Sequence, residues 1–180
     1  LDCGEVIELP VGRSGDITRG QAKLKFEATV ADDLDTVGIP HAKIKRSGDG
    51  YLIKENVEGQ TLTQILSQRG KLSEAQLDDL ELLYLTAKRN GFELEIHGGN
   101  LVWDGKQFVL TEVSPGSLDG FKGVIEDVLE FDAKRLDAFR SKQRAFGVLA
   151  EPHPNTVAHN RRTLATKDPG VESKVDELEG

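Results

Sequence analysis

The stretch Glu95–Pro115 constrains this chain more than any other. It opens Glu95-Ile96-His97-Gly98-Gly99-Asn100 and runs on through Leu101-Val102-Trp103-Asp104-Gly105-Lys106-Gln107-Phe108-Val109-Leu110-Thr111-Glu112. Two short apolar runs on either side of Asp-Gly predict a β-hairpin, because those residues accept the backbone of a tight turn. The loop before it holds an acid, a histidine, two glycines and an asparagine, and the second strand ends on another acid. Folding the hairpin brings Asn100 and Glu112 to one end, beside Glu95. Oxygen donors grouped in this way suit a hard divalent cation and a phosphate.

The elements on either side follow from periodicity and from helix stops. Residues 4–11 are apolar and β-prone and predict a strand. Residues 12–20 form a glycine-rich connection. It lacks both Gly-x-x-x-x-Gly-Lys-Ser/Thr and Gly-x-Gly-x-x-Gly, so it reads as a plain loop rather than a phosphate cradle. Gln21 to Val37 turns helical, with Phe26, Val30, Leu34 and Val37 on one face. Gly38-Ile39-Pro40 stops this helix. A hairpin follows, with Ala42–Lys45 and Tyr51–Glu55 as its strands and Ser47–Gly50 as its turn. Residues 61–69 predict a short helix ended by Gly70. Ser73 is placed to N-cap a longer helix that buries Leu77, Leu80, Leu83, Leu85 and Ala87 and ends at Asn90-Gly91. After the turn at Ser114–Ser117, one helix is predicted from Leu118 or Phe121 to Phe146, with Val124, Val128, Phe131, Leu136 and Phe139 inward. Its many charges read as a solvated face. Pro152 and Pro154 then break the chain, and residues 150–180 read as a tail that docks on the domain or on a partner.

Composition narrows the function classes. At 180 residues the chain has room for one domain with a core, plus a tail. A net charge of −8 and a pI near 5.1 argue against nucleic acid as partner. Cys3 is the single cysteine, which excludes an internal disulfide. No apolar run has the length of a membrane span, and no signal peptide is visible, so no membrane partner is expected. The chain starts at Leu1 and contains no Met, and it reads as a piece of a longer polypeptide or a processed product. The expected location is the cytoplasm, or that of a secreted effector.

With these residues in view, the chain resembles the protein-kinase-like superfamily, in its minimal bacterial effector or toxin form. That family carries Asp-x-His-x-x-Asn, a short hairpin, and then a second Asp. By position, Glu95 stands at the catalytic Asp, Asn100 at the metal-binding Asn and Glu112 at the metal-binding Asp. His97 and Asn100 match in type, and His97 is expected to support the loop. Glu95 and Glu112 are one methylene longer than the family's residues. No Phe-Gly follows Glu112, and no Ala-Pro-Glu comes later.

The resemblance implies an α+β fold: a reduced two-lobe kinase-like domain over residues 1–149, with a small β-rich lobe over about 1–55 and a helical lobe over about 56–149. It implies a hinge at Glu55–Glu58, where the backbone of Glu55 and Val57 would meet adenine. It implies a helix Glu paired with a strand Lys. Glu27 is in the right relation to the Gly-Ile-Pro stop, whereas Glu8 stands where the strand lysine is expected. Lys23, Lys25 or Arg13 are candidates to replace that lysine at the phosphates. The implied cofactors are ATP and Mg2+, and the implied activity is phosphoryl transfer to Ser or Thr of a target protein. A pseudokinase that binds a protein partner is the alternative, and a small-molecule kinase-like enzyme is the third reading.

Overall fold

A computed structural model describes residues 4–10, residues 17–147 and Pro154. Cys3, Arg13 and nearly all of the expected tail lie outside the described residues. The architecture is mixed α and β, with small antiparallel sheets and five helices among the described residues.

Strand β1 (Glu5–Glu8), helix α1 (Ile17–Val37), β2 (Ile44–Gly48) and β3 (Tyr51–Glu55) come first. The three strands form one sheet in the order β1-β3-β2. Strand β3 is central, with Val6 opposite Lys54 and Glu8 opposite Leu52. Helix α1 is longer than its periodicity predicted, starting at Ile17 rather than Gln21. Phe26, Val30 and Leu34 are buried as expected, and Val37 is half-buried. The loop after α1 then docks on a distant strand. Leu110 N donates to Pro40 O at 3.0 Å, and Ala42 N donates to Leu110 O at 2.8 Å.

Next come β4 (Gln60–Thr61), α2 (Leu62–Arg69) and α3 (Glu74–Arg89). Both helix starts are capping boxes. Thr61 and Ser73 accept from the backbone N–H three residues on, and Gln64 and Gln76 reach back to the cap N–H groups. Each device satisfies two donors that a helix start otherwise leaves without partners. Gly70 closes α2 in the left-handed conformation, φ 64°. On α3, Leu80, Leu83 and Ala87 are buried, joined by Tyr84, whereas Leu77 and Leu85 are half-buried.

The predicted hairpin is β6 (Leu101–Trp103) with β7 (Phe108–Leu110), following β5 (Leu94–Glu95). Asp104 holds its turn, its Oδ1 accepting from Lys106 N and Gln107 N. Trp103 is half-buried and meets the Phe108 ring edge-on at 5.1 Å. Strand β6 also pairs with β4, and β5 pairs with β8 (Ser114–Pro115).

The single helix predicted up to Phe146 is two helices, α4 (Asp119–Leu129) and α5 (Ala133–Gly147). Asp132 is the reason, because its Oδ1 accepts from Arg135 N at 3.0 Å and starts a new helix. Phe131, expected inside, therefore sits at the junction and is 92% exposed. Phe139 is fully buried and stacks at a tilt on Tyr84, centroids 5.3 Å apart.

Candidate functional site

Five ionisable side chains from four segments meet where α1, the first sheet and the end of the β6–β7 hairpin come together. Leu52 and Lys54 share one face of β3, since side chains alternate along a strand, and Glu8 opposite Leu52 faces the same way. Lys54 is 4% exposed. Its Nζ donates to Glu27 Oε1 at 2.7 Å and to Thr111 O at 2.7 Å, and it also contacts Glu8 Oε2. Lys23, one helical turn before Glu27 on α1, contacts Glu112 Oε1 at 2.6 Å and Glu8 Oε1 at 3.1 Å. The two lysines thus tie Glu8, Glu27 and Glu112 into one cluster.

Burial and charge act on these groups in opposite senses. Burial raises the Glu27 carboxyl to about 7, against the pull of Lys54 and with a further push from Glu8. Its second oxygen, Oε2, is buried with no hydrogen-bond partner, a position that a neutral carboxyl tolerates better than a carboxylate. Burial acts to raise Glu8 as well, but the hydrogen bonds and charges of Lys54 and Lys23 outweigh it and hold that carboxyl below its ordinary value. Burial acts to lower Lys23, but Glu112 and Glu8 outweigh it and raise the ammonium. Below about pH 7, where Glu27 holds its proton, two ammonium groups face two carboxylates.

Asn100 joins the cluster through the backbone. Thr111 N and Thr111 Oγ1 both donate to Asn100 O, at 2.9 and 3.2 Å, which sets Asn100 beside the residue preceding Glu112. Asn100 N in turn donates to His97 O at 2.9 Å and closes the loop. Glu95 stands on β5, opposite Ser114 of β8. Its carboxylate is exposed, with His97 Nε2 3.1 Å from Oε1. Gly116 lies so close to Glu95 that an added Cβ would be 2.6 Å from the Glu95 Cβ. This fixes the height of Glu95 against the strand after Glu112.

Among the described residues, no set of three or more His, Cys, Asp or Glu side chains is arranged to hold a metal alone. Asn100 and Glu112 are nonetheless the donor types magnesium takes, since it relies on one or two carboxylates with phosphates and water for the rest. By donor type alone, these two residues match that ion as partial ligands. Glu112 Oε1 currently accepts from Ser114 Oγ at 3.3 Å as well as meeting Lys23.

The other expected residues are less tightly placed. Lys25 is exposed on α1 and is not joined to the cluster. Glu55 Oε1 accepts from Lys43 N at 3.1 Å. Glu55 N and Asn56 N donate to Lys43 O and Gly4 O, so any N–H contact from this linker to a base falls to Val57 and beyond. A cavity of about 500 Å³ lies along the linker, bounded by Ile39, His41, Glu55, Val57, Asp104 and Val109. Glu27, Lys54, Asn100 and Glu112 do not line it. This cavity is thus separate from the charged cluster.

Lys54 escaped the sequence reading. Its signal is the alternation Tyr51-Leu52-Ile53-Lys54, which puts a lysine on the same face as a core leucine and demands a buried acid. The chain matches no protein-family model, and no curated protein is significantly similar to it.

Proposed function

We propose that this chain is a reduced protein-kinase-like domain that binds Mg-ATP and transfers a phosphoryl group to a Ser or Thr hydroxyl of a protein. The observation that carries the reading is the buried pair between Lys54 of a central strand and Glu27 of α1, set against Thr111, the neighbour of Glu112. A helix acid paired with a strand lysine at the base of a cleft is what that resemblance requires, and here the lysine comes from β3 instead of β1. The two-lobe arrangement is part of the proposal: β1–β3 with α1 form the small lobe, and α2–α5 with the β6–β7 hairpin form the larger one.

In phosphoryl transfer the protein mostly positions groups and neutralises charge. Glu95, oriented by His97, accepts the proton of the attacking hydroxyl. Asn100 and Glu112 are the residues that would hold magnesium, which when bound supplies neutralising charge at the phosphates. Lys54 keeps α1 and the end of β7 in register, so that Glu112 and the loop bearing Asn100 stay in one place.

A pseudokinase that works by binding a protein is the second reading. The ion pair of Glu112 with Lys23 favours it, because the acid needed for the cation is already neutralised. Thermal unfolding with Mg-ATP separates the two. At about a hundred times its dissociation constant, a ligand specific for the folded state adds about 2.7 kcal/mol. The active reading expects a magnesium-dependent rise in Tm for the parent chain that is lost in Glu112→Ala and reduced in Asn100→Ala. No rise in the parent chain sinks the nucleotide reading and leaves the binding module.

A further inference from the structure

Counting donors separates the two lysines of the cluster. An ammonium has three N–H bonds and no acceptor. Lys54 directs all three to Glu27, Thr111 O and Glu8, and its side chain is 5% exposed. It has no donor left to offer a ligand. Lys23 meets two carboxylates, Glu112 and Glu8, and its side chain is 30% exposed. One of those partners, Glu112, is the acid proposed above to hold the cation.

We propose that Lys23, not Lys54, meets the phosphates of the nucleotide, and that its ion pair with Glu112 holds it back until a divalent cation engages that carboxylate. This rests on the nucleotide reading above. Lys54 is then a fixed brace and Lys23 the movable charge. The long, flexible lysine stem allows such an exchange without moving α1. Charge balance points the same way. While Glu112 is paired with Lys23, the cluster offers a polyphosphate no excess positive charge. Once Glu112 turns to a cation, Lys23 loses its closer partner, and Glu8 alone keeps it at the cluster. Glu8, at the strand position where a lysine was expected, thus acts as a tether rather than as a repelling acid.

The test compares the parent chain with Lys23→Gln, Lys23→Arg and Glu112→Ala, with Lys45→Gln as a surface control. Two probes are used, Mg-ATP by calorimetric titration and Mn2+ alone by electron paramagnetic resonance. Lys23→Gln is expected to weaken Mg-ATP binding roughly tenfold or more, the scale of a lost charge-assisted hydrogen bond. Lys23→Arg should retain most of the affinity, and Lys45→Gln should match the parent. Mn2+ alone should bind more tightly to Lys23→Gln than to the parent chain, because no ammonium competes for Glu112. A variant that merely folds badly does not produce that gain. Parent-like Mg-ATP affinity in Lys23→Gln, with binding still lost in Glu112→Ala, overturns the assignment and leaves the nucleotide reading standing. Mn2+ binding no tighter in Lys23→Gln overturns the competition for Glu112. If the parent chain does not bind Mg-ATP, both ideas fall together.

Discussion

Glu27 is an acid folded into the interior, 3% exposed. Its carboxyl titrates near 7 in the folded chain, against an ordinary value of 4.5. A folded value above the unfolded one means that the folded state holds its proton longer. The stability Glu27 contributes is therefore complete below about 4.5 and is lost as pH rises through about 7. The difference amounts to about 3 kcal/mol across that window. In Glu27→Gln the group no longer titrates, so urea unfolding between pH 5 and 8 should show a shallower fall in stability than in the parent. An unchanged pH slope contradicts the assignment. Lys54→Met is expected to cost about 3–5 kcal/mol, because it strips the shared cation from a buried cluster, takes that partner from Glu27 and leaves Glu8 to Lys23 alone. Chemical denaturation measures this directly. A loss within about 0.5 kcal/mol, the usual range for a surface site, would show that the pair does not brace the fold.

At the scale of elements, one guanidinium adds to the Tyr84–Phe139 contact between α3 and α5. Arg135 meets Glu74 at 2.6 Å, Asp78 at 2.5 Å and Glu81, three acids on one face of α3. Glu81 is 8% exposed, so its partner matters more than those of the two exposed acids. Arg135→Gln should cost about 1–3 kcal/mol, read as a lower denaturation midpoint, with Glu81→Gln in the same background restoring part of it. The junction before α5 also explains why one helix was predicted where two form. The apolar spacing of Val124, Val128 and Phe131 continues a helical face up to the junction, and no glycine or proline interrupts it. The break comes from Asp132 choosing to cap, a local competition that periodicity does not register. The capping boxes at Thr61 and Ser73 and the left-handed Gly70 behave as their residue types foretell, since those interactions span three or four positions of contiguous chain.

For the whole molecule, the short connection Gly38–Ala42 joins the small sheet and its helix to the β6–β7 hairpin. Ile39 is 2% exposed and lies in the main hydrophobic core, and the backbone just after it, at Pro40 and Ala42, is bonded to Leu110. Ile39→Ala should cost about 2–5 kcal/mol by leaving a cavity. It should also reduce any Mg-ATP-dependent rise in Tm, because α1 carries Lys23 and Glu27 while β7 leads to Glu112. A destabilised variant with the full nucleotide response would show that this joint does not set the site. Most individual elements were legible from residue order alone, because caps, turns and buried faces depend on neighbours a few positions apart. The hairpin at Asp104-Gly105 and the loop that bears Asn100 were legible for the same reason. Which lysine meets which acid was decided by tertiary structure only. Glu8, Lys23, Glu27, Lys54 and Glu112 come from separate strands, a helix and a hairpin end, and their charges couple strongly only where folding has removed water from between them.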